Sequence, residues 1–162
     1  MKKLIFDFEN IGGICRLFAI PESSYERVRR DYVNKRNYIE CKNQDDIIEI
    51  PIYADGTFFF NEDQRFESAG DSYAIEIGGV IPKMMVSNAG VIERLERGTW
   101  YVLFQDMNGE VRLCGDEEVK CKFLTKKSTG TSAVSRNQIA FSFSCTQENP
   151  SLYIELDDMS AL

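Results

Sequence analysis

The stretch Ile139-Ala140-Phe141-Ser142-Phe143-Ser144-Cys145 decides the fold. Every second residue is apolar and larger than its neighbours, which are small or polar. In an extended chain successive side chains point to opposite faces, so this period puts Ile139, Phe141, Phe143 and Cys145 on one face. A helix would scatter the same residues around its circumference. One dry face and one wetter face describe an antiparallel strand lying on a core.

The same period recurs on both sides of this stretch. Val119, Cys121 and Phe123 alternate with Lys120 and Lys122, and Trp100, Val102 and Phe104 share a parity, as do Tyr73, Ile75 and Ile77. Ile48, Ile50 and Ile52 repeat it around Pro51, which marks an edge or a bulge because proline has no N–H to give to a ladder. Leu4, Phe6 and Phe8 begin the series, and Leu152, Ile154 and Leu156 close it. Between Trp100–Gln105 and Val111–Cys114 lies Asp106-Met107-Asn108-Gly109, whose Asn-Gly pair supplies two positive-φ positions and predicts a hairpin. The expected fold class is mainly β, an antiparallel β-sandwich or barrel with one or two short α-helices.

One helix is expected where Ser87 or Asn88 caps a segment with Val91, Ile92 and Leu95 on one face. Glu93 and Arg97 sit four residues apart in it, and Gly98 terminates it. The stretch after Pro21 has two readings. Ser23 and Glu26 have capping-box spacing, with Tyr25, Val28 and Tyr32 lining one side of a helix; the rival reading is an irregular strand. Gly12-Gly13 and Gly78-Gly79 are expected at bulges or tight bends. Two polar stretches, Asn61–Ser72 and Lys126–Asn137, are expected as long hairpin tips.

At 162 residues the chain fits one domain, residues 1–162, large enough to bury a core without staples. A net charge of −7 works against phosphate binding, so no sequence-specific nucleic acid is expected as a partner. The densest positive run is Arg27, Arg29, Arg30, Lys35 and Arg36, interleaved with Tyr25, Tyr32 and Tyr38. That composition is like a nucleic-acid surface, but the net charge favours a solvated arginine face. Arg27, Arg29 and Arg30 are the candidate charged interaction surface.

The chain has no histidine, which rules out Ser-His and Cys-His nucleophiles. Its five cysteines include no Cys-x-x-Cys, so no zinc pattern is present. Asp45-Asp46 and Asp116-Glu117-Glu118 lack the spacing of a calcium loop and read as solvated turns. No catalytic residue, metal or cofactor is expected, and an enzyme working with carboxylates alone is the least favoured class. The cysteines read as inert thiols, Cys121 and Cys145 as small core hydrophobes, with a disulfide or redox role as the alternative. Asp7 and Glu9 interrupt the apolar start, and no run is long enough to cross a bilayer. No membrane partner is expected, and the expected location is the cytoplasm or a virion.

From Gly70 to Pro150 the order of features has a precedent. A long strand ends in Ile81-Pro82-Lys83, a short helix follows, then Trp100-Tyr101-Val102-Leu103-Phe104 and the Asn108-Gly109 turn. Val111-Arg112-Leu113-Cys114-Gly115, a Ser/Thr/Gly loop and the strand from Asn137 to Cys145 complete it. This order resembles small prophage-encoded proteins and the strand, helix and long-loop arrangement of phage tail-tube proteins. The resemblance covers about half the chain and carries no catalytic position. It implies a self-assembling, tail-associated structural protein whose partners are its own copies, in a ring stacked through long loops, and other phage tail proteins. Within the two polar stretches Arg65, Phe66 and Arg136 are the candidate self-association residues, Phe66 either anchoring an interface or folding back on the sheet. The alternative is a monomeric binding module that uses the β-surface and loops for a protein or small ligand.

Overall fold

The computed structural model describes residues 12–52, 58–68, 70–83, 85–129 and 138–155. The chain order is β1 (Ile14–Pro21), β2 (Tyr25–Asp31), β3 (Arg36–Cys41), β4 (Ile48–Glu49), β5 (Phe59–Glu67), β6 (Gly70–Pro82), α1 (Val86–Arg97), β7 (Thr99–Asp106), β8 (Val111–Cys114), β9 (Cys121–Ser128), β10 (Gln138–Gln147) and β11 (Leu152–Ile154). All the strand pairings among the described residues are antiparallel, so the mainly-β expectation holds, with one helix among those residues.

Strand β7 organises the molecule. On one edge it pairs with β1 along its length. On the other edge Thr99–Trp100 pair with β9 and Val102–Gln105 pair with β8. Beyond β9 the sheet continues through β10 and β6 to β5, while β11 extends it beyond β8. The β2–β3 hairpin forms a separate two-stranded sheet.

The two parities of β1 and β7 face two different cores. Leu17, Ala19, Val102 and Phe104 join Ile75, Ile77, Phe123, Phe141 and Phe143 in the larger one, which Ile92 and Leu95 of α1 also enter. Phe18, Ile20, Tyr101 and Leu103 face the other way, where Tyr25, Val28 and Ile39 of the hairpin cover them. A strand covered on both faces has no reason to alternate, which is why Trp100–Phe104 is apolar without a break. The sheet bends over the larger core far enough that Phe60 of β5 meets Phe104 of β7, ring centroids 4.7 Å apart.

Several local expectations are corrected. The stretch after Pro21 is not a helix: Tyr25–Asp31 is strand β2, and the capping box does not form. The register slips by one residue between Tyr25 and Arg27, a bulge that turns Tyr25 and Val28 to the same face. A bulged strand and a helix can therefore place apolar residues at the same i, i+3 spacing. Helix α1 starts at Val86, before either expected cap, because the Asn88 N–H closes the first turn on the Met85 carbonyl. Val91 is exposed and lies off the helix's buried face. Gly98 ends the helix in an extended rather than left-handed conformation, beside Trp100, whose indole N–H donates to the Leu95 carbonyl at 3.0 Å.

The Asp106–Gly109 hairpin forms, but with a single left-handed residue, Gly109, at φ 90°. Asp106 Oδ1 holds the turn by accepting the backbone N–H groups of Asn108 and Glu110 at 2.8 and 3.0 Å. Gly78 and Gly79 sit in unshifted ladders rather than at a bulge. A Cβ on Gly79 would lie 2.5 Å from the Phe58 ring, so these glycines make room for Phe58 and Phe59. Asn61–Ser72 is not a loop. It holds most of β5 and the start of β6, paired in register from Phe59↔Gly78 to Glu67↔Gly70. Lys126–Ser128 continue β9; residues 130–137 and the Leu4–Phe8 alternation lie outside the described residues.

Candidate functional site

The residues singled out from the sequence fall on two hairpins. Arg65 and Phe66 lie near the tip of the β5–β6 hairpin, opposite Ser72 and Asp71. Phe66 is 77% exposed and does not fold back on the sheet. Strand β5 has β6 as its only strand partner among the described residues, which leaves the other edge of nine residues unpaired. Arg136 lies outside the described residues.

Arg27, Arg29 and Arg30 lie on β2. Arg27 Nε and Arg29 Nε each take one oxygen of Glu40 on the facing strand, at 2.7 and 3.0 Å. The Arg27 guanidinium, with Arg29 beside it, holds the Glu40 carboxyl below the usual carboxylate range. Arg29 also covers the Tyr38 ring at 4.7 Å. Two of the three arginines are thus committed within their own hairpin, and Arg30 forms no ion pair among the described residues. The hairpin turn is held by Asp31 Oδ1, which accepts the N–H groups of Val33 and Asn34 at 2.9 and 3.1 Å. It presents Tyr32 and Val33, 83% and 89% exposed, at its tip. The helix reading of this stretch, one of two, expects Tyr32 on an inner face; the Asp31-x-x-Asn34 turn chemistry is the local signal that sets it at the tip instead.

A feature absent from the sequence reading lies between β5 and β7. A cavity of about 280 Å³ is lined by Phe58, Phe59, Phe60 and Phe104, with Asp106 and Arg112 as its charged groups. The Arg112 guanidinium is stacked between Tyr153 and Phe60, 4.4 and 5.4 Å from the ring centroids, and donates to the Tyr153 hydroxyl. Among the described residues it has no carboxylate partner.

The acidic turns serve the fold. Asp116 Oδ1 accepts from the N–H groups of Glu118 and Val119, and Asp46 pairs with Arg94 at 2.8 Å. No cluster of three metal-ligating side chains occurs among the described residues, and none of their helices is long and apolar enough to cross a membrane. Comparison with known protein families, characterised proteins and solved structures finds no match.

Proposed function

We propose that this chain is a non-enzymatic structural subunit that assembles with its own copies, and that it belongs to the tail-associated components of phage or phage-derived particles. The observation that supports assembly is the edge of β5 that has no strand partner among the described residues, with the exposed Phe66 near its end. A long edge presents a row of free N–H and C=O groups, and a strand from a second copy satisfies them. Phe66 beside Arg65 then supplies the aromatic and guanidinium contacts in which interfaces are enriched. The tail-associated assignment rests on the resemblance of Gly70–Pro150 to tail-tube proteins.

Light scattering and negative-stain microscopy over a concentration series test the reading. Rings or short tubes are the expected result, and Phe66→Ser, Arg65→Glu or Arg136→Glu weakens them while the β-rich circular dichroism spectrum is kept. A strict monomer at the highest concentration overturns it. Terminase, portal and tail genes beside its gene are expected for the particle assignment.

The Phe-lined cavity favours a second reading, a monomeric module that binds a small ligand with an apolar body and an anionic group facing Arg112. A monomer that is stabilised thermally by small aromatic carboxylates, and loses the effect in Arg112→Gln, would support it.

A further inference from the structure

We infer that Cys121 and Cys145 are a dithiol that closes to a disulfide by exchange with a small-molecule disulfide such as glutathione disulfide. The pairing follows from the ladder. Strands β9 and β10 are in register from Gln138↔Ser128 to Ser144↔Lys122, and the next pair in that register sets Cys145 opposite Cys121. Residues directly opposite in an antiparallel ladder have Cα atoms about 4.5 or 5.5 Å apart, depending on the type of pair. Both separations fall within the range of about 4.4–6.8 Å seen for disulfides. The side chains already point at one another, with Sγ atoms 3.1 Å apart. Closure to a bond of about 2.05 Å asks for a movement of about 1 Å.

The two thiols are unequal, and the difference assigns their roles. Cys121 is fully buried, whereas Cys145 is partly exposed. The Cys121 S–H donates to Cys145 Sγ, which favours the Cys145 thiolate, and the Gly115 backbone N–H adds to this against the cost of burial. The same hydrogen bond, together with burial, keeps Cys121 protonated until Cys145 has reacted. The less buried, more acidic thiol is therefore the attacking one.

The exchange runs in two steps. The Cys145 thiolate attacks one sulfur of glutathione disulfide; the S–S bond breaks, and a glutathione thiolate leaves and takes a proton from water. The Cys121 thiol then attacks Cys145 Sγ, breaking the mixed disulfide, and its proton passes to the departing glutathione sulfur, which leaves as the second glutathione thiol. Two protein thiols are oxidised, and one glutathione disulfide is reduced to two thiols. The other cysteines are placed differently. Cys15 Sγ donates to the carbonyls of Gln105 and Asp106, and burial pushes the thiols of Cys41 and Cys114 up.

The full chain, reduced and freed of reductant, is incubated with excess glutathione disulfide, unfolded, and its thiols counted. Before treatment all five are expected to react, since none is bridged in the structure. Afterwards two fewer are expected, with an intact mass lower by two hydrogens, a peptide map linking Cys121 to Cys145, and full reversal by dithiothreitol. Cys15→Ser keeps the link. Cys145→Ser abolishes it, and Cys121→Ala, which keeps the core apolar, traps a glutathione adduct on Cys145. An unchanged thiol count, or a link that maps to any other pair, overturns the assignment.

Discussion

Tyr25 lies flat on Tyr101, with ring centroids 3.9 Å apart and planes inclined by 16°. The contact joins the β2–β3 hairpin to the central strand β7, so the second core depends on it. Replacing Tyr25 by Ala should destabilise the protein by about 2 kcal/mol, combining lost burial with the aromatic pair, while Tyr25→Phe should cost far less. Urea unfolding of the three proteins measures the difference.

The same pair should be visible in an alkaline titration. Burial raises both phenols to about 12, with acidic groups such as Glu117 adding to it. Both folded values lie above the ordinary phenol value of about 10. Their contribution to stability is therefore complete below pH of about 10 and is lost as pH rises through the folded values. Phenolate absorbance should show two late-titrating tyrosines, and Tyr25→Phe should leave one.

Gly79 and Gly90 should respond in opposite directions to Ala. A Cβ on Gly79 meets the Phe58 ring at 2.5 Å, whereas one on Gly90, within α1, meets nothing within 4 Å. Gly79→Ala should cost about 1–3 kcal/mol from overpacking. Gly90→Ala should gain about 0.5–1 kcal/mol, because alanine loses less backbone entropy in a helix. Thermal melts of the two variants against the parent decide it.

Asp106 should be worth more than its exposure suggests. Its carboxylate accepts two backbone N–H groups of the β7–β8 turn. Asp106→Ala should destabilise by about 1–2 kcal/mol, as expected when charge-assisted hydrogen bonds are lost. Gly109→Ala should cost a similar amount, about 1–2 kcal/mol, because φ is 90° there. Denaturant midpoints give both values.

Acid should loosen the β2–β3 hairpin through Glu40. Its carboxyl is held low by Arg27 first and Arg29 second, so its folded value lies below its unfolded one. The stabilisation is present above the ordinary glutamate value of about 4.3 and is lost as pH falls through the folded value. Glu40→Gln should melt below the parent at neutral pH, and the gap should close in acid. Salt should narrow it too, since the pairs are exposed.

Alternation alone determined that Ile75 and Ile77, Phe141 and Phe143, and Phe123 with Cys121 lie on the apolar face of their own strands, because parity on a strand is a local property. Asp106 to Gly109 marked a hairpin for the same reason: turn chemistry is carried by adjacent residues. Tertiary structure decided the rest. Tyr25 and Val28 share a face through a bulge, and spacing cannot distinguish that from a helix until Ile39 and Cys41 are in place across the ladder. Asn61–Glu67 is a strand with little apolar content, because its order comes from backbone pairing with β6 rather than from side-chain burial. The unbroken run Trp100–Phe104 carried a signal of burial on both faces, yet only the hairpin's packing shows what covers the second one. Arg27, Arg29 and Glu40 meet, as do Cys121 and Cys145, through strand register. Register is a long-range choice that depends on which faces can be buried together, and no residue encodes it alone.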